Sequence, residues 1–286
     1  MDKVIVRLWG GIGNQLFQYS FGEYLRNTKS VRVEYDCNSF GNSDKLRKLE
    51  IESAVGSIPI TTENAISKYT GVINRVIRCI YNISNKFVLE ESFSEEKFDL
   101  LKQRKGEVYL QGYWQKQLYA SWALNSGVLN LSKMPLSIEL QDYYQKITTE
   151  EESISLHIRR GDYFTPRYIK KFGVCSPKYY QNSIAYLQNK IKRNIKIFIF
   201  SDDPQWVIKN IKLPSDSIFV KNYKVPQASY IYLMSLCKYN IISNSSFSWW
   251  GAFLNRNPNK MVISPEKWTL NSDKTLALSE WVKLSV

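Results

Sequence analysis

The amino-acid sequence predicts an α/β fold built on parallel, doubly wound sheets. Three observations predict it. The first apolar run, Val4–Leu8, passes through a glycine loop straight into a helical pattern. The second half repeats short apolar strands alternating with helices. Several of those strands end in polar loops. At 286 residues and 44% hydrophobic, the chain can bury a core as one large domain or two of ordinary size.

Val4–Leu8 ends at Trp9-Gly10-Gly11-Ile12-Gly13-Asn14-Gln15, after which Leu16, Phe17, Tyr19, Ser20 and Leu25 recur at helical spacing. Gly11 and Gly13 let the backbone approach a ligand, and the helix start favours an anion. Asn14 and Gln15 add amides within reach of a sugar or phosphate. This is no dinucleotide fingerprint, because Leu16 stands at the third glycine position, and an ordinary glycine turn explains the same residues equally well. Val31–Tyr35 alternates as a second strand. Residues 37–60 read as loops anchored by Leu46, Leu49 and Ile51. From about 62 to 104 the pattern is helical but irregular, with Ile73, Val76, Ile77 and Ile80 on one face. Glu107–Gln115 reads as a strand running into a loop whose aromatic and amide residues either border a sugar or fill a core. Tyr119–Leu131 and Ser137–Lys146 read as helices. The acidic Glu150-Glu151-Glu152 then marks a boundary between lobes 1–149 and 150–286.

In the second half, Ile154–Arg159 is a strand. Ser176-Pro177 caps and opens a helix reaching about Lys192. Ile195–Phe200 is a strand ending at Ser201-Asp202-Asp203-Pro204, and a short helix with Trp206, Val207 and Ile208 follows. Ile218–Val220, Asn240–Ser243 and Met261–Ile263 are the remaining strands, the last of these closing the sheet, and Ser229–Cys237 is a helix.

Such a sheet lines up the loops 157–164, 201–204 and 243–248 along its carboxyl edge, where ligands bind. Arg159 and Arg160 are poor material for a core. They make either a surface turn or a phosphate clamp, since the guanidinium fork matches phosphate oxygens. The Ser243-Asn244-Ser245-Ser246 run sits at a helix start, where N–H groups and small hydroxyls bind phosphate, and one serine would suffice for capping alone. Asp202 and Asp203 fit hydrogen bonds to ribose or base, or a cap on the next helix. With the arginines supplying positive charge, no metal is expected. His157 is the only histidine and the four cysteines are scattered, which argues against a zinc site and for a reduced, cytosolic protein. The N-terminus enters a strand with no signal peptide, and no apolar stretch approaches the ~20 residues of a membrane span. Lys+Arg of 39 against Asp+Glu of 26 gives a net charge of +13. That charge suits nucleic acid, an anionic membrane surface or a phosphate-bearing substrate. A nucleic-acid-binding protein would leave the three strand-end loops unexplained. Two arginines, a serine-lined helix start and a glycine loop from the other half fit a nucleotide diphosphate held between two lobes. With the abundant aromatics, this suggests sugar transfer.

Three motifs resemble a known family: Gly10-Gly11-Ile12-Gly13-Asn14-Gln15-Leu16-Phe17-Gln18-Tyr19, His157-Ile158-Arg159-Arg160-Gly161-Asp162-Tyr163, and Ser243-Asn244-Ser245-Ser246-Phe247-Ser248-Trp249-Trp250-Gly251-Ala252. The chain resembles the bacterial α-1,2-fucosyltransferases of glycosyltransferase family 11 over nearly its whole length. The resemblance implies a GT-B fold with a donor cleft between two Rossmann-like lobes. It implies GDP-β-L-fucose as co-substrate, no cofactor or metal, and inversion to an α-linkage. It places His157 near the guanine, Arg160 on the β-phosphate, Ser245, Ser246 and Phe247 at the diphosphate, and Asn14 near the catalytic centre from the N-terminal lobe. Asp162 is the nominated general base, or else a carboxylate that orients the arginines. The implied acceptor is a galactose-terminated glycan, lipid-linked in O-antigen synthesis, with the protein at the inner face of the cytoplasmic membrane. Another GDP-6-deoxyhexose such as GDP-colitose is the alternative donor. The chain departs from the family pattern at Tyr230, where an acidic residue is usual, and at Tyr239, where histidine is frequent. Asp203 or a backbone carbonyl would then have to read the guanine.

Overall fold

A computed structural model describes residues 1–62, 87–103, 105–161, 173–270 and 275–286. The chain divides into two compact units, Met1–Met134 and Pro135–Val286.

The first unit holds a parallel sheet in the order β2-β1-β4-β3, formed by β1 (Lys3–Arg7), β2 (Val33–Asp36), β3 (Phe87–Leu89) and β4 (Glu107–Gln111). β1 pairs on both sides, Val4 opposite Val33 and Val108, and its Val4, Ile5 and Val6 are wholly buried. A parallel sheet needs cover on its faces. Helix α1 (Ile12–Thr28) supplies it, burying Leu16, Phe17, Phe21 and Leu25. Phe21 stacks on Trp114 at 3.9 Å and meets Tyr119 at 4.8 Å. So Trp114 fills the core rather than bordering a ligand.

Several elements differ from expectation. Within the supposed loop 37–60, Ile51–Val55 forms a short helix, α2. Ile51 anchors it, whereas Leu46 is 75% exposed and anchors nothing. In the stretch read as irregular helix, 63–86 and 104, with the Ile73, Val76, Ile77 and Ile80 face, lie outside the described residues. The rest contains the edge strand β3 and helix α3 (Glu95–Lys102), whose Ser94 hydroxyl accepts from Lys97 N–H. Helix α4 (Gln117–Asn125) stops before Gly127, which turns at φ +78°.

The second unit begins with α5 (Ile138–Thr149), which packs on α8 (Ala228–Leu236) through Tyr144 and Tyr232. The division therefore falls before this helix, not after it. The parallel six-stranded sheet has the order β10-β9-β8-β5-β6-β7: β5 (Ser153–Ile158), β6 (Lys196–Ser201), β7 (Ile218–Phe219), β8 (Tyr239–Ile241), β9 (Val262–Pro265) and β10 (Val282–Leu284). β10 extends the sheet past the strand expected to close it, Val282 pairing with Ile263. Every residue of β5 is buried, as a central parallel strand requires. Helix α6 (Pro177–Ile191) starts where its sequence dictates: Ser176 accepts from Tyr179 N–H at 3.2 Å, with Pro177 in the first turn. Helices α7 (Pro204–Asn210) and α9 (Ser246–Phe253) follow β6 and β8.

The two tyrosines that depart from the family pattern have structural work. Tyr239 donates to Glu152 at 2.8 Å, and Lys238 joins it at 2.9 Å. Burial would raise the Glu152 carboxyl, but these hydrogen bonds outweigh it and hold the group below its ordinary range. The Tyr230 hydroxyl accepts from Tyr223 N–H at 2.6 Å and donates to Lys221 C=O at 3.2 Å, fixing the turn after β7.

The second sheet reverses its strand order once, and the first sheet twice. β1 has β2 on one side and β4 on the other; β5 has β6 and β8. Such reversals, at the carboxyl ends of the strands, are where open α/β sheets bind ligands.

Candidate functional site

Parallel register brings the loops after β5, β6 and β8 together. Ile158 lies opposite Ser201 of β6, and Leu156 opposite Ile241 of β8. β5 and β6 therefore release their chains at the same level, and β8 two residues before them. The arginines after β5 meet the aspartates after β6: Arg159 Nη1 lies 2.8 Å from Asp202 Oδ2, and Arg160 Nε 3.1 Å from Asp203 Oδ2. The Arg160 backbone N–H donates to Asp202 Oδ1 at 2.9 Å. A Cβ on Gly161 would approach Asp202 Oδ2 to 2.7 Å, so glycine lets this turn close. The Arg160 guanidinium lies 3.7 Å over the Trp206 ring. Asp203 also caps α7, accepting from Trp206 N–H at 3.1 Å. Helix capping is thus one of the expected aspartate roles that the structure displays.

Across the reversal, His157 Nδ1 and Ser243 Oγ lie 2.9 Å apart, and the imidazole sits 5.4 Å from the Phe247 ring. Burial, with Arg159 nearby, pushes the His157 pKa down to about 3. The ring is neutral at physiological pH, so it is neither a cation for phosphate nor a proton donor there. Ser245 caps α9, its hydroxyl accepting from Phe247 N–H at 3.4 Å. Ser243, Asn244 and Ser245 are buried, while Ser246 and Phe247 are half-buried. The eight-residue helix α9 thus follows the strand next to the one that ends in two arginines, a combination that favours a multiply charged anion.

His157, Arg159, Arg160, Asp202, Asp203, Ser245, Ser246 and Phe247 all belong to the second unit. Asp162 lies outside the described residues. Gly11, Gly13 and Asn14 belong to the first unit, where Asn14 Oδ1 accepts from Gln115 at 2.9 Å. Gly10 takes φ +80° and donates its N–H to Asp44 at 3.1 Å. Trp9 and Tyr113 pack at 4.9 Å, with Arg7 at 4.9 Å over Trp9. Sequence reasoning missed Trp206 as a site residue, and it took Ser243 for a phosphate-binding hydroxyl rather than the partner of His157. The spacing of Trp206, three residues after the Asp203 cap, was the available signal.

The family model described as glycosyl transferase family 11 matches residues 4–285. The chain belongs to glycosyltransferase family 11. Two curated Escherichia coli relatives are each 32% identical. The O-antigen biosynthesis glycosyltransferase WbnK aligns with 97% of this chain and 99% of its own length, and an alpha-1,2-colitosyltransferase with 94% and 93%. Among solved structures, an Arabidopsis thaliana FUT1 mutant in complex with GDP is similar over 94% of this chain and 71% of its own, with a TM-score of 0.51 at 10% identity. The family 11 protein is thus a glycosyltransferase of GT-B fold class, with two parallel α/β units.

Proposed function

We propose that the protein transfers L-fucose from GDP-β-L-fucose to the 2-hydroxyl of a galactoside, inverting to an α-linkage without a metal ion. One observation carries the reading: Arg159 and Arg160 leave the end of β5, and the serine-capped helix α9 follows β8, the strand paired with β5. The acceptor oxygen attacks the fucose anomeric carbon, the bond to the β-phosphate oxygen breaks, and the acceptor proton passes to a base. Negative charge grows on departing GDP. The arginines and the positive end of α9 meet that charge, and one such preorganised donor is worth about 3 kcal/mol of barrier. Asp162 is the nominated base, an effect of ~10²–10⁴-fold. His157, neutral and bonded to Ser243, borders the guanine with Phe247. The first unit takes the acceptor, with Trp9 and Tyr113 as ring surfaces and Asn14 and Gln115 as amide partners.

The name of the O-antigen biosynthesis relative supports a surface-glycan acceptor of the O-antigen kind, which our scheme takes as lipid-linked at the cytoplasmic membrane face. No described helix is long and apolar enough to cross a membrane. Nucleic-acid binding accounts for none of the three motifs. The colitosyltransferase relative favours a second reading, with GDP-colitose as donor; that sugar lacks the 3-hydroxyl of fucose. A site built to bond that hydroxyl would reject the deoxy sugar by ~10⁴-fold or more.

Incubation with GDP-sugars and galactosides in EDTA, read by product mass, tests the scheme. Fucosylated product is expected. Product from GDP-colitose alone would establish the second reading, absence of product with every GDP-sugar would end both, and strict metal dependence would end the metal-free mechanism.

A further inference from the structure

We propose that Trp206 and Asp203 are positioning residues that hold Arg160 in the conformation in which it meets the donor β-phosphate. The proposal rests on the preceding assignment of Arg160 to the diphosphate. Arginine is long and loses much rotamer freedom when it is fixed. A group that stabilises a transition state acts best when that cost is met before reaction. Here the guanidinium carbon lies 3.7 Å over the Trp206 ring, with Nε on Asp203 at 3.1 Å. These two contacts hold the side chain at Nε and at the guanidinium carbon.

The holders are themselves held. Asp203 Oδ1 accepts from the Trp206 N–H at 3.1 Å, and the Asp203 N–H donates to Ser201 Oγ at 3.0 Å. Pro204 fixes the first turn of α7. Side chains in a helix lean toward its N-terminus, which carries the Trp206 ring back to the strand edge. The result is a closed cycle: Arg160 to Asp203, Asp203 to the Trp206 backbone, and the Trp206 ring to Arg160.

Trp206 also packs on the second unit's core. A purely structural Trp206 would affect the enzyme whether or not Arg160 is present, whereas a positioning Trp206 would not. The test is a double-mutant cycle in the full chain, reading kcat and KM for GDP-fucose and the Kd for GDP. Trp206→Leu is expected to lower kcat about 10-fold and GDP affinity about 3-fold, with Trp206→Phe recovering most of both. Asp203→Asn keeps a capping oxygen but drops the ion pair, and is expected to cost about 5-fold in kcat. In the Arg160→Ala background none of these changes should lower GDP affinity further, and affinity carries the cycle where turnover is lost. If Trp206→Leu fails to fold, Trp206→Phe and Asp203→Asn complete it. Equal losses in both backgrounds would overturn the positioning role and leave the clamp standing. Full GDP affinity and turnover in Arg160→Ala alone would mean the clamp itself is wrong, and the positioning role would fall with it.

Discussion

The two units carry different chemistry at the carboxyl ends of their central strands. Between β1 and β4 the loops are joined by neutral groups. Gln18 accepts from Trp9 N–H at 3.1 Å and donates to Gly112 C=O at 3.4 Å, Asn14 meets Gln115, and Trp9 meets Tyr113. Arg7 there donates to Ser39 and Gln111, both neutral acceptors. In the second unit the arginines at the end of β5 face the carboxylates after β6 instead, Arg159 on Asp202 and Arg160 on Asp203. A carboxylate that fixes the direction of an arginine arranges it in advance to meet a phosphate. A neutral, aromatic edge suits a sugar. The difference teaches that the strand ends supply only location; the partners of the arginines decide what is bound there.

The largest expected effect breaks the charged side of the comparison. Arg160→Ala should lower transfer by about 10²–10³-fold, the range for losing a preorganised oxyanion donor, with thermal unfolding little changed. Near-normal turnover by product assay would show that this edge does not stabilise the leaving group. The neutral side should fail differently. Gln15 is wholly buried. It donates to Gly10 and Lys48 carbonyls, both at 2.8 Å, and accepts from Glu50 N–H at 2.8 Å and Ile51 N–H at 3.0 Å. Gln15→Ala strands all four backbone groups and should destabilise the protein by about 3 kcal/mol, measured by denaturant unfolding. A change under about 0.5 kcal/mol would mean that water replaces the amide and that Gln15 does not hold the glycine loop.

Much of this contrast could be read from local sequence. The Ser176-Pro177 cap and the β-rich Ile195–Phe200 run each specify their element without tertiary help. The arginine and serine motifs announced themselves because their residues suit a core badly. Other features depended on partners far along the chain. β3 and β10 have three residues each, too short for a periodic signal, and exist because a neighbouring edge pairs with them. Helix α5 is amphipathic and could have served either unit; its docking on α8 decides the boundary. The Arg160–Asp203 pair spans 43 residues and follows from the β5–β6 register. Gln15, read as a ligand-facing amide, is consumed by backbone 33 to 36 residues away. Only the fold reveals which polar residues are already satisfied.

The last contrast concerns His157, which sits among charges yet carries none. Burial and Arg159 hold its pKa at about 3, against ~6.5 in an unfolded chain. Between these values the unfolded state binds a proton that the folded state refuses. Stability therefore falls as pH drops below ~6.5, by at most ~1.4 kcal/mol per pH unit, and the residue contributes no pH dependence above that. A glutamine at 157 can keep a hydrogen bond to Ser243 and does not titrate. The stability difference between wild type and His157→Gln should therefore shift by about 2 kcal/mol between pH 7 and pH 5, against the wild type, as other titrating groups cancel in the subtraction. A constant difference across that range would mean the imidazole is charged or open to water. Because the chain has no other histidine, kcat/KM should show no histidine inflexion between pH 5 and 8; one there would make His157 a proton carrier and remove the neutral reading of the β5/β8 edge.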